Sequence, residues 1–192
     1  MLQILLHRSG ARSLACEVDG DSGASVSEGV LNLLADNMHR MGSFTLKGSP
    51  ILLQKCILRA APKLESLMLI GVEPLPPQLF DGRAGRLRNL ALHNFQSLPL
   101  NRAFSAITHL SIEGDMTHRR IRVHDLFSAF PRLKSLSVRG GSEWMTQPRG
   151  TLGSWKLSHL SFAVRGAGRE VSSYCNSWRE LGCKRIEIEE AS

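Results

Sequence analysis

The chain is short of several things that would fix a function early. It has no apolar run near the ~18 residues of a membrane-crossing helix, and the apolar opening Met1 to Leu6 meets His7 and Arg8 at once. That is too short for a secretory signal and carries its charge on the wrong side. The expectation is a soluble intracellular protein, cytoplasmic or nuclear, with no membrane partner. The four cysteines, Cys16, Cys56, Cys175 and Cys183, include no C-x-x-C pair, so they read as reduced thiols packed like small hydrophobes. A Cys175–Cys183 disulfide is the alternative and would need an oxidising compartment. No Gly-rich phosphate loop followed by lysine is present, and no cofactor is expected.

Aromatic residues make up 6% of the chain, and the formal net charge is +7 with a pI near 9.7. A basic surface attracts acidic partners, whether protein, RNA or anionic lipid. The basic runs Arg83, Arg86, Arg88 and His118, Arg119, Arg120, Arg122 lack interleaved aromatics for base stacking, so nucleic acid is only the alternative partner and the runs read as solvated loops.

What the chain does have is a recurring phrase. The apolar-x-apolar core of Leu64-Glu65-Ser66-Leu67-Met68-Leu69-Ile70-Gly71 returns at Leu14/Cys16, Phe44/Leu46, Leu67/Leu69, Leu90/Leu92, Leu110/Ile112, Leu136/Val138, Leu160/Phe162 and Ile186/Ile188. The first members lie 30, 23, 23, 20, 26, 24 and 26 residues apart, mostly within the ~20–29 residues of a leucine-rich repeat. A further apolar residue stands three positions earlier, at Met41, Leu64, Leu87, Ile107, Leu133 and Leu157, with Ala11 and Cys183 as weaker versions. Gly48, Gly71, Asn94, Gly114 and Gly140 follow the core where the chain must turn, and these residue types tolerate the backbone angles required.

Side chains alternate along a strand, so each triplet points two residues inward and its neighbours outward. The fold class expected is α/β: a leucine-rich repeat solenoid with a curved parallel sheet of about eight short strands, and helices and irregular turns on the convex side. Residues 1–192 should form a single domain, because one unit cannot bury its own apolar face.

The connections should differ. Leu2 to His7 reads as the tail of a helix. A first convex helix should follow Ser27 as N-cap, with Val30, Leu31, Leu33, Leu34, Met38 and Met41 inward. A second should run from Pro50 to Ala61 with Ile51, Leu52, Leu53, Cys56, Ile57 and Leu58 inward. Prolines between Glu73 and Gly85 leave room for a short turn at Gln78-Leu79-Phe80, and Phe104 should anchor the next connection. Helices are expected over His124 to Phe130 and Val171 to Leu181, with Trp144 in the loop Gly141 to Gly153 folding over a gap in the core; a contact site in that loop is the alternative. The last strand, Lys184 to Glu189, should end on glutamates that discourage pairing with other chains.

The outward positions form three columns: Ser13, Ser43, Ser66, Asn89, His109, Ser135, His159, Arg185; then Ala15, Thr45, Met68, Ala91, Ser111, Ser137, Ser161, Glu187; then Glu17, Lys47, Ile70, His93, Glu113, Arg139, Ala163, Glu189. Glu17/Lys47 and Glu113/Arg139 should sit on adjacent strands and can pair. His109 and His159 tempt a metal reading, but two strand steps of ~4.8 Å hold their backbones too far apart. Ser111 beside His109 lacks an acidic third partner and a strained nucleophile turn. No enzyme and no metal site is expected. A face of small polar residues with scattered His, Arg and Glu suits binding another protein, and the candidates are Met68, Ile70, His93, His109, Glu113, Arg139 and His159.

Two phrases, Ala61-Pro62-Lys63-Leu64-Glu65-Ser66-Leu67 and Phe130-Pro131-Arg132-Leu133-Lys134-Ser135-Leu136, together with the opening Leu5-Leu6-His7-Arg8-Ser9-Gly10, resemble the repeat region of fungal F-box-like leucine-rich repeat proteins, especially those of mushrooms. The resemblance implies a ribonuclease-inhibitor-like solenoid that recruits substrates to a cullin-type ubiquitin ligase. Leu75-Pro76-Pro77-Gln78-Leu79-Phe80 echoes the opening of an F-box but lies inside the array. A ligase adaptor is therefore an expected partner only if an F-box lies upstream. The alternative to a recognition module is a truncated structural fragment with no partner.

Overall fold

The computed structural model describes residues 12–20, 27–48, 54–72, 75–76, 78–95, 101–114, 123–141, 157–165, 179 and 183–190. Its centre is one sheet of eight strands, β1 (Leu14–Asp19), β2 (Met41–Lys47), β3 (Ser66–Ile70), β4 (Asn89–His93), β5 (His109–Glu113), β6 (Ser135–Gly141), β7 (His159–Arg165) and β8 (Arg185–Glu190). Spatial order equals chain order, and every neighbouring pair is parallel.

A parallel pair cannot be joined by a hairpin, so each connection must cross back over one face of the sheet. The apolar triplets decide which face. Phe44 and Leu46 are 0% exposed, Leu67 and Leu69 2% and 1%, Leu90 and Leu92 2% and 1%, and Leu136 and Val138 0% and 1%. They stack in register from strand to strand, as in Leu67↔Leu90 and Leu90↔Leu110. Each such leucine is worth roughly 1.5–3 kcal/mol on burial. The core lies between this face and the connections, and no polar or charged side chain is buried among the described residues.

The same two devices frame the strands. Before β3, β4, β5 and β6 a tight turn closes, with the N–H of Leu64, Leu87, Ile107 and Leu133 donating to the carbonyl of Ala61, Ala84, Phe104 and Phe130. All eight of those side chains are buried, so the anchor three positions before the core residue has a partner three positions earlier still. After the strands, the N–H of Gly48, Gly71, Asn94 and Gly114 donates to the last outward residue of the next strand, Ile70, His93, Glu113 and Arg139, at 2.8–3.1 Å. The turn residues expected there all have positive φ, with Asn94 at 56° and Gly140 at 153°. Asn94 is the informative one, because asparagine adopts this conformation more readily than other residues with a side chain.

The connections follow the sequence in kind, with differences of extent. Helix α1 (Glu28–Asn37) buries Leu31, Leu34 and Ala35. Ser27 stands at the N-cap with extended backbone but makes no side-chain cap bond, and Met41 belongs to β2 rather than to the helix. The second helix is described only as the single turn α2 (Gln54–Ile57). It stops before the expected end at Ala61, and Leu58, expected inward, is 45% exposed. After Ile57 the turn that buries Ala61 and Leu64 takes over. Arg102–Phe104 forms a short 3-10 turn, and Leu79–Gly82 a tight turn with Phe80 and Asp81 in the left-handed region, at φ 53° and 52°; they bury Phe104 and Phe80 at 0% exposure. Helix α3 (Val123–Ala129) buries Leu126, Phe127 and Ala129 and is followed by buried Phe130. The expected helix tail Leu2 to His7, the expected helix Val171 to Leu181 apart from Arg179, and Trp144 with its loop beyond Gly141 lie outside the described residues.

One register is corrected. Cys16 pairs with Phe44 and Val18 with Leu46, so the β1 core triplet is Cys16/Val18 and not Leu14/Cys16. The register shifts between Leu14 and Ala15, where Met41 and Ser43 are the successive partners. Gly42 is skipped, and a side chain on it would collide with Ser13. Glu17 therefore faces Thr45, and Lys47 pairs with Asp19 at 3.1 Å instead of with Glu17.

Candidate functional site

The outward face of the sheet carries the residues not consumed by the core. Ser43, Thr45, Ser66, Met68, Ala91 and Ser111 are all half-buried, because neighbours on strands ~4.8 Å apart shade one another. Together with Asn89, His109, Ser135 and Ser137 they line a depression of about 290 Å³ spanning β2 to β6. Met68 and Ala91 are register partners in its middle, giving an apolar floor among hydroxyl groups. Asn89 Nδ2 donates to Ser66 Oγ at 3.1 Å, tying the rim of two strands together.

Charged groups stand around the depression. His93 Nδ1 lies 3.7 Å from a Glu113 carboxylate oxygen, across the β4–β5 register pair. Glu113 and Arg139 are register partners as expected, yet the side chain that Glu113 meets is the His93 ring. His159 Nε2 lies 3.6 Å from Glu187, and Arg185 also pairs with Glu187. His109 is exposed and its Nδ1 is 2.9 Å from Thr108 Oγ1. Lys47 holds Asp19. Glu17 and Arg139 are exposed, and neither has an ion-pair partner among the described residues.

Of the candidate residues, Met68 and His109 line the depression. Ile70, His93, Glu113 and Arg139 form the next row toward the strand ends, each the register partner of the one before. His159 lies on β7, two strands from His109 with Ser135 between them. Among the described residues no group of three or more His, Cys, Asp or Glu side chains could hold a metal ion. The basic cluster at 83–88 is partly engaged: Arg88 donates to the carbonyls of Gly85 and Leu87, and Arg83 lies 3.6 Å from Asp81. His118 to Arg122 lie outside the described residues.

Sequence reasoning placed Glu17 in the wrong row and left Asp19 out of the face. Cys16-Glu17-Val18 is also an apolar-x-apolar triplet, and choosing it shortens the first spacing from 30 to 28 residues, closer to the others. The thiols are quiet. Cys16, Cys56 and Cys183 are free, while Cys175 lies outside the described residues. Burial pushes the Cys56 thiol up to about 11, helped by the nearby Cys16, and burial likewise raises Cys16 and Cys183. Thiols held protonated are poor nucleophiles. No helix among the described residues is long and apolar enough to cross a membrane.

Compared with protein-family models, curated proteins and solved structures, the chain matches none.

Proposed function

We propose that the chain is a leucine-rich repeat solenoid of the ribonuclease-inhibitor-like kind and that the outward face of its sheet binds another protein. The observation that carries this reading is the depression over β2 to β6. A flat, self-satisfied sheet face would offer no recess, whereas this one combines an apolar floor, a ring of hydroxyls and a charged periphery. That is the composition by which protein interfaces gain both contact area and orientation. The reading is non-enzymatic: His109 and Ser111 stand on one strand with no acid to orient the imidazole among the described residues, and the thiols are held protonated.

Within this reading the chain serves as the substrate-recognition region of an F-box-like ubiquitin-ligase subunit, acting inside the cell. This rests on the resemblance of its Pro-x-Leu-x-x-Leu phrases. The test is affinity capture with the wild-type chain and with Ala91→Arg, which fills the depression from an outward position. Proteins held by the wild type and lost by the variant support the reading, and a ligase adaptor among retained proteins supports its ligase clause. Equal capture by both chains would refute binding through the sheet face.

A further inference from the structure

The charges on the face are not evenly satisfied, and two described residues without an ion-pair contact, Glu17 and Arg139, stand at opposite ends of the depression. Among the described residues Lys47 pairs with Asp19 and Arg185 with Glu187, while the rings of His93 and His159 lie 3.7 Å and 3.6 Å from Glu113 and Glu187. Within that same set, Glu17 on β1 and Arg139 on β6 are exposed with no such partner. Glu17 begins the row that continues through Thr45, Met68 and Ala91. Arg139 stands in the adjacent row on β6, the last strand that the depression reaches, two residues from Ser137 of its lining. One acid and one base without an ion-pair contact, at the two ends of the depression, give the face a direction.

Resting on the protein-binding reading above, we propose that the occupant is an extended peptide segment of a partner protein. It lies obliquely across the strands, with one apolar side chain on Met68 and Ala91, a basic side chain toward Glu17 and a carboxylate toward Arg139. Five strand steps of ~4.8 Å make the span about 24 Å, which an extended chain covers in about seven residues at ~3.3 Å each. The recess is large enough for one leucine- or phenylalanine-sized group and its neighbouring backbone. The surrounding hydroxyls can both donate and accept, so they serve a peptide backbone without demanding charge. Rim charges of this kind set orientation and partner choice more than affinity, so the segment is recognised by its pattern of one base, one apolar residue and one acid.

The test uses the full chain and a display library of random linear peptides, followed by binding titrations of the enriched sequences. The expected enrichment is an apolar residue flanked on opposite sides by one basic and one acidic residue. Ala91→Arg should abolish binding. Arg139→Glu should weaken it on the order of fivefold, the scale of an exposed ion pair, and exchanging the peptide's acid for lysine should restore it. Glu17→Lys should behave reciprocally with the peptide's base. Peptides that need an open depression but are indifferent to both charge reversals would overturn this inference and leave the protein-binding reading standing. Peptides unaffected by Ala91→Arg, or no enrichment at all, would overturn both.

Discussion

Phe104 and Phe130 offer the sharpest check on the packing. Each is 0% exposed, each supplies the carbonyl of the turn that leads into β5 or β6, and their rings stack with centroids 6.2 Å apart at 27°. Phe130→Ala removes a fully buried ring from a site whose backbone is held by that turn, so the surroundings can relax only partly. The expected loss is about 3–5 kcal/mol. With a urea dependence of ~1–3 kcal/mol per molar, the unfolding midpoint should fall by on the order of 2 M. Because stacked rings add about 0.5–1.5 kcal/mol beyond their area, Phe104→Leu and Phe130→Leu should be less costly together than the sum of the two alone by that amount. Urea unfolding followed by circular dichroism on Phe130→Ala and on the four members of the leucine cycle measures both. Hydrogen exchange should place the loss at β5 and β6 before β1 and β2, since each strand pairs only with its neighbours. A loss below about 1 kcal/mol for Phe130→Ala, or strict additivity in the leucine cycle, would refute this packing.

The turns separate two costs that are usually mixed. Gly71→Ala meets open space but must adopt φ 61°, for about 1–2 kcal/mol; Gly140→Ala also drives its Cβ into the Gly114 carbonyl oxygen and should cost more in the same unfolding assay. The β1 register predicts that Lys47 couples to Asp19 and not to Glu17, so a double-mutant cycle with Asp19→Asn should give about 0.2–1 kcal/mol that fades with salt, and the cycle with Glu17→Gln should give none. For Cys56 the folded thiol ionises near 11 against an ordinary 9.0, so the unfolded chain releases its proton first. Its contribution to stability is complete below pH ~9 and is lost as the pH rises toward ~11; Cys56→Ala should flatten the wild-type decline in unfolding midpoint across that window.

The sheet was legible in the sequence because its inward face obeys one rule. Apolar residues at alternate positions, an apolar anchor three residues before them and a glycine or asparagine after them are all demands of burial and backbone geometry, and those demands leave marks on residue type. The rule failed at β1 because Leu14, Cys16 and Val18 are all apolar and two triplets fit equally well. The decision was made elsewhere, by the skipped Gly42 on β2, which no reading of β1 alone could reveal. Helix length was less legible for a different reason: Leu58 fits the periodicity of Ile51 to Ile57, but the chain must leave the helix early enough for Ala61 and Leu64 to close the next turn.

The outward face obeys no comparable rule, and that is a reason to look there for function. A residue such as Ser111 can be exchanged for many others without disturbing the core, since nothing in strand pairing specifies its side chain. Position within the sheet is nonetheless fixed by the inward neighbours Leu110 and Ile112, which hold it to a single register. Side chains at Met68, Ala91, Glu17 and Arg139 are thus free in kind but rigid in place. A two-residue error in register, as at β1, moves Glu17 from one row to the next and changes which charges meet, while leaving every apolar residue inward. Substitutions at Glu17 and Arg139 should accordingly alter which peptides bind while the urea midpoint moves by less than about 0.5 kcal/mol equivalent. A large stability change from either reversal would mean that these charges hold the fold together, and the direction assigned to the face would then have no foundation.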